Sequence, residues 1–155
     1  MNGAGSGQTI ADHQFTDLTT GQLHDILRLR SEVFVVEQSC VYPDVDGRDV
    51  EPETRHVWIE GPDQRVIAYA RCLSDGPGRW RIGRVVTAPA HRGEGHATRL
   101  VAHLVDSVEG EVILDAQSYL LEWYNNLGFS QTGDEFLEDG IPHIPMRSSR
   151  GEGSN

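Results

Sequence analysis

The segment Arg84–Leu104, RVVTAPAHRGEGHATRLVAHL, constrains this chain more than any other. It opens on Val85-Val86-Thr87, a β-branched run with the composition of a buried strand. Pro89 ends that strand. After Arg92-Gly93-Glu94-Gly95-His96-Ala97 a helical pattern starts at once, with Leu100, Val101, Leu104 and Val105 on one face. Strand, small-residue loop and helix in this order aim several backbone N–H groups at one point, at the positive end of a helix. Such a point binds anions, phosphate above all. Gly93 and Gly95 permit backbone dihedrals closed to other residues and let a ligand reach the main chain. Ala97 keeps the first helical turn narrow.

Two familiar phosphate loops fail to fit. A P-loop needs Gly-x-x-x-x-Gly-Lys, and this chain has no lysine: all 13 of its Lys+Arg residues are arginine. A dinucleotide-binding loop wants glycine or alanine where Thr98 stands, after the first strand of a βαβ unit. What fits is Arg92-x-x-Gly95-x-Ala97, set three residues after the strand end Val86-x-x-Pro89. That pattern resembles the acetyl-CoA pyrophosphate loop of the GNAT superfamily of N-acetyltransferases.

A chain of 155 residues suits one domain with a real core. No apolar run approaches the roughly 20 residues of a membrane helix. The start, MNGAGSGQTIADHQ, has neither the basic region nor the apolar stretch of a secretory signal. The expectation is a cytoplasmic protein with no membrane partner. Cys40 and Cys72 lie far from any metal spacing and read as free thiols of a reducing compartment. The net charge of −11 argues against general nucleic-acid binding, which needs a basic face. Lysine Schiff-base chemistry is excluded. Between Arg71 and Arg99, however, six arginines oppose only Asp75 and Glu94. A local positive field there would suit a multiply charged anionic cofactor.

In chain order, residues 1–12 read as a flexible leader, 13–147 as a single domain and 148–155 as a flexible tail. Gln14–Leu18 is expected as a first short strand. Thr19-x-x-Gln22 has capping-box spacing, and Leu23, Ile26, Leu27, Val33 and Phe34 recur at helical intervals to about Gln38. The segment Ser39–Thr54 is broken by prolines and glycine and crowded with acids. It lacks EF-hand spacing. It reads as a solvated acidic loop or, more sharply, as a rim attracting a cationic amine. His56–Glu60, Val66–Leu73 and Trp80–Thr87 form an antiparallel meander, and Val112–Ala116 is a further strand. Tyr119–Asn126 is a short helix closed by Gly128. A hairpin is expected about Asp139-Gly140. This order fits a mixed, mostly antiparallel sheet with helices on both faces.

Downstream of the glycine loop stands Tyr124-x-x-Leu127-Gly128-Phe129, which resembles the second GNAT signature. Phe34-Val-Val-Glu-Gln38, Asp46-Gly-Arg-Asp49 with His56 after it, Asp115-Ala-Gln117 and Glu138-Asp-Gly-Ile-Pro-His143 resemble the ElaA subgroup of that superfamily. The likeness spans about Leu18 to Arg147. It implies a GNAT α/β fold with a splayed strand pair forming the acyl-CoA cleft, acetyl-CoA as cosubstrate and no metal.

By the same likeness, pyrophosphate would lie on Arg92, Gly93, Glu94, Gly95, His96, Ala97 and Thr98. The pantetheine arm would pair with Val85, Val86 and Thr87, with the Val86 N–H facing the thioester oxygen. The acceptor would be an amine, of a small molecule or a peptide. Tyr124 is expected as the general acid, because tyrosine stays protonated at neutral pH and can protonate a departing thiolate. A base is needed if the amine arrives protonated. Glu37, His56 and Asp115 are candidates, with Glu37 preferred for its place beside the acidic loop. His91, His96 and His103 lack a metal-ligand spacing such as H-E-x-x-H. A non-catalytic acyl-CoA-binding module is the competing reading of the same motifs, and a symmetric homodimer is compatible with either.

Overall fold

Alternating apolar residues build one sheet in the computed structural model, which describes residues 8–148. Its strands are β1 (Ile10–Gln14), β2 (Arg55–Glu60), β3 (Val66–Ser74), β4 (Arg79–Thr87), β5 (Glu111–Gln117), β6 (Phe129–Gln131), β7 (Phe136–Glu138) and β8 (Ile141–Ser148). They run in the order β1-β2-β3-β4-β5-β8-β6, with β7 on β8. Only β4 and β5 pair in parallel. Period-two alternation gives the sheet two buried faces. On one, Val57, Ile59, Ala70 and Ile82 meet Leu100, Val101 and Leu104 of α2 (His96–Ser107). On the other, Trp58, Tyr69 and Val86 meet Ile26 and Leu29 of α1 (Thr20–Arg30) and Val33 beyond it. α3 (Leu121–Asn126) joins the first face through Tyr124.

The parallel contact is short, and its shortness makes the cleft. Arg79, Trp80 and Arg81 pair with Glu111, Val112 and Ile113, and there the ladder stops. A close backbone crossing fixes its lower end: Glu111 N–H donates to the Gly78 carbonyl at 2.8 Å. Gly110, with φ +118°, lies so near that a Cβ would stand 2.3 Å from that same oxygen. Above the paired residues the strands diverge, and a bulge in β4 adds to the divergence. Tyr69 opposes Val86 and Arg71 opposes Gly83, so Arg84 and Val85 share Ala70 as their one partner. Arg84 has φ +54°, a region that favours glycine.

Helix α1 starts on the expected capping box. Gln22 N–H donates to Thr19 Oγ1 at 3.0 Å, and Thr19 N–H donates to Gln22 Oε1 at 2.9 Å. Its continuation differs from expectation: Ser31–Glu37 is π-helical, with Gln38 N–H donating to Val33 C=O at 3.0 Å. The first strand is β1, upstream of the expected 14–18, and Phe15–Asp17 is a 3₁₀ turn. Ile10–Asp12, read as leader, therefore belong to the sheet, as Ser148 does at the other end. Residues 1–7 and 149–155, the rest of the expected flexible ends, lie outside the described residues. Strand β6 was not foreseen. The β7–β8 hairpin turns on Asp139 and Gly140, both with positive φ, as a tight two-residue turn requires.

Candidate active site

The N-terminus of α2 is open. Gly95 (φ +84°) precedes it, no side chain caps it, and no acid stands in its first turn. The first amide to find a partner inside the helix is that of Arg99, which donates to Gly95 C=O at 3.1 Å. The amides before it point outward with the positive end of the helix dipole. No atom lies within 4 Å of where a Cβ would stand on Gly93 or Gly95. A cavity of about 520 Å³ opens at this point. Val85–Thr87 line one wall, and Arg92, Gly93, Gly95 and His96–Thr98 line its end. These groups fit a diphosphate with a long extended arm.

Glu94 alone of the expected cofactor residues is not in that lining. Its carboxylate turns to His96 Nε2 (2.8 Å) and His91 Nδ1 (3.3 Å), and those two contacts, His96 first, lower its pKa. The three side chains form a potential metal-donor set, their donor atoms within 4.8 Å of one another. The hydrogen bonds described already engage all three.

A second cavity, of about 220 Å³, lies in the splay between β4 and β5, closed by the β7–β8 hairpin. Phe34, Gln38, Val85, Tyr119, Leu120 and Tyr124 line both cavities, so the two meet there. Tyr124 is 5% exposed, packed edge-on against Trp123 and Phe129. Burial pushes its hydroxyl pKa above the ordinary tyrosine value, so it stays protonated across the physiological range.

The acidic loop is solvated only in part: Asp46 and Glu53 are exposed, but two of its acids turn inward. Asp44 and Asp49 are buried. Arg30, wholly buried, bonds Asp44 (2.9 Å) and Asp49 (2.8 Å). Arg71 bonds Asp46 (2.9 Å) and Asp49 (3.0 Å). Arg84 meets Asp44 at 2.8 Å and lies over the Tyr42 ring. Burial alone would raise the Asp46 and Asp49 pKa values. The hydrogen bonds of Arg71 to Asp46 and of Arg30 to Asp49, with the surrounding arginine charge, reverse that and hold both below the ordinary range. Of the arginines read as a field around the phosphate loop, Arg71 and Arg84 are thus neutralised by the acidic loop instead. Through Asp44 the loop also holds β4 at its positive-φ residue, Arg84.

The candidate bases separate clearly. Glu37 lines the larger cavity alone, and both its oxygens accept from Arg92 (2.7 and 2.8 Å). Those bonds lower its pKa, which weakens it as a base. His56 is fully buried, with Nδ1 on Tyr69 Oη (2.7 Å) and Nε2 on Asp49 C=O (3.0 Å), and burial lowers its pKa. Asp115 does line the smaller cavity but is paired with Arg81 at 2.9 Å. Cys40 and Cys72 are free and buried, and burial pushes the Cys72 thiol up to about 12.

A bulged strand diverging from a parallel neighbour, with an uncapped helix start at the gap, is the architecture of an acyl-CoA transferase. Residues 28–150 match the family described as the acetyltransferase (GNAT) domain, and the chain belongs to that family. Within it the chain is ElaA-like. It is 37% identical to Protein ElaA of Escherichia coli over 142 residues, covering 87% of this chain and 92% of that one. The crystal structure of E. coli ElaA superposes with a TM-score of 0.84, covering 91% of this chain and 99% of that one at 35% identity. An acyl-CoA N-acyltransferase from Pseudomonas aeruginosa gives the same TM-score at 36% identity, covering 92% and 99%. A UPF0039 protein of Mycobacterium bovis is 48% identical over 134 residues, 84% of this chain and 86% of that protein. Among the described residues no helix is long and apolar enough to cross a membrane.

Proposed function

We propose that this protein transfers an acetyl group from acetyl-CoA to an amine by direct attack through a tetrahedral intermediate. The observation that carries the reading is the position of Tyr124 at the junction of two cavities, one lined by the open amides of α2. The larger cavity would hold acetyl-CoA, with its diphosphate on the loop from Arg92 to Thr98 and its arm along Val85–Thr87. The smaller would hold the acceptor. Holding amine and thioester together replaces a rare encounter by a local one.

The amine nitrogen attacks the carbonyl carbon, and the electron pair moves to oxygen, where the Val86 N–H stabilises it. On collapse the C–S bond breaks. Tyr124 gives its proton to sulfur and regains one from the nitrogen that has become the amide. Every arginine lining the smaller cavity is ion-paired, whereas Glu138 and Asp139 enter no ion pair among the described residues. The uncompensated charge there is negative, which favours a cationic acceptor. Thiol release from acetyl-CoA, followed with polyamines, amino sugars and peptides, tests the function. Tight coenzyme A binding with no turnover on any amine would leave a binding module instead.

A further inference from the structure

The smaller cavity holds one titratable side chain whose bonding prepares it to take a proton. His143, on β8, stands opposite Gln117 of β5 and Phe136 of β7. Its ring stacks on Phe136 with centroids 5.9 Å apart. Nδ1 lies 2.7 Å from the Ile141 carbonyl oxygen. A carbonyl can only accept, so Nδ1 carries the hydrogen, and in the neutral ring Nε2 bears the lone pair. Among the described residues Nε2 has no hydrogen-bond partner. The ring lines the same cavity as Tyr124.

The neighbouring groups on each packed element offer no better acceptor. From β5, Asp115 is held by Arg81. Tyr119 and Tyr124 bring hydroxyls, and the Cys40 thiol donates to the Asp139 carbonyl at 3.7 Å. From the hairpin, Glu138 and Asp139 stand exposed to solvent at the edge of the cavity. An imidazole with one ring nitrogen left without a partner is the side chain that most often serves as a general base.

We propose that His143 is the general base of the acceptor site. This rests on the amine-acetylation reading above. Neutral Nε2 takes one proton from the incoming alkylammonium, which leaves a free amine and an imidazolium. The amine attacks the thioester, Tyr124 manages the second proton, and the imidazolium returns its proton to solvent. One proton is released for each amide and thiol formed.

His143→Asn tests this, because the asparagine N–H can keep the bond to Ile141 while Nε2 is lost. At pH 7, kcat/KM for the amine should fall about 10²- to 10⁴-fold, with coenzyme A affinity unchanged by calorimetry. The acid limb of the wild-type pH profile should vanish, and the residual rate should follow the fraction of unprotonated amine. A fall under about threefold with the acid limb retained overturns the proposal. So does an equal loss at every pH, which marks a structural role. Nitrogen NMR of the labelled imidazole gives a second readout that needs no acceptor. The hydrogen on Nδ1 is expected, and a ring protonated on Nε2 alone overturns the assignment. Absence of wild-type turnover on any amine despite coenzyme A binding would instead remove the function on which the proposal rests.

Discussion

The two cavities share Tyr124, yet their walls are made differently. The larger has the edge of β4 and the uncapped amides of α2 along one side, with Arg92 held at the rim by Glu37 and side chains such as Phe34 and Trp123 opposite. The smaller is walled by side chains from the π-helical segment, three strands of the sheet, the 3₁₀ turn before α3 and a hairpin. Behind it, Asp44, Asp46 and Asp49 tie Arg30, Arg71 and Arg84 into one buried network. Backbone suits a ligand part that never varies, since every residue type supplies the same N–H. Side chains suit an acceptor, whose identity must be selected.

The sharpest way to break the comparison is at the shared residue. Tyr124→Phe should lower turnover about 10²- to 10⁴-fold and leave coenzyme A affinity unchanged by calorimetry; a parallel loss of affinity would make the ring part of the larger cavity alone. Next comes the network. Asp49→Ala leaves Arg30 and Arg71 short of a buried partner and should cost about 3–5 kcal/mol in urea unfolding. A cost under about 1 kcal/mol would mean the pairs carry no structural weight.

Acid should act on the same groups. Asp46 and Asp49 have folded pKa values below their unfolded ones, so their stabilising contribution is complete above the unfolded carboxylate value, about 3.9. It is lost as pH falls below that, towards the folded values. The denaturant midpoint should hold steady above about pH 5 and drop below about pH 4. Gly110→Ala should cost about 1–3 kcal/mol, since the new Cβ strikes the Gly78 carbonyl and must adopt positive φ. Smallest is Gly95→Ala. The free loop relaxes out of φ +84°, and readopting it on binding costs about 1.4 kcal/mol, which should weaken coenzyme A binding about tenfold and leave urea stability little changed.

This contrast also explains what could be read in advance. The glycine-bearing start of α2 was legible because its constraints are local: two glycines, an alanine and a helix start within Arg92–Thr98. The capping box at Thr19 and the hairpin at Asp139-Gly140 were legible for the same reason. The arginine–aspartate network was not, because Arg30 meets Asp49 across 19 residues and Arg84 meets Asp44 across 40. Charge counting alone therefore assigned Arg71 and Arg84 to the phosphates, when folding gives them to the loop. Strand β1 was displaced because Ile10-Ala11-Asp12 looks like polar leader until Ala11 is set against Trp58. Strand β6, three residues long, has too few positions to show alternation. Glu37 looked like a base until Arg92 closed on it, and His143 acquired direction only through the carbonyl of Ile141.

The π-helical stretch Ser31–Glu37 widens each turn beyond the α-helical count, in effect accommodating an extra residue. Deleting one residue there could restore a regular α-helix with no loss of backbone bonding. It would also swing everything downstream by about 100° around the axis, carrying Phe34 and Gln38 away from the junction they line. A shorter, smoother and locally more comfortable helix would leave the meeting point of the two cavities without one of its walls.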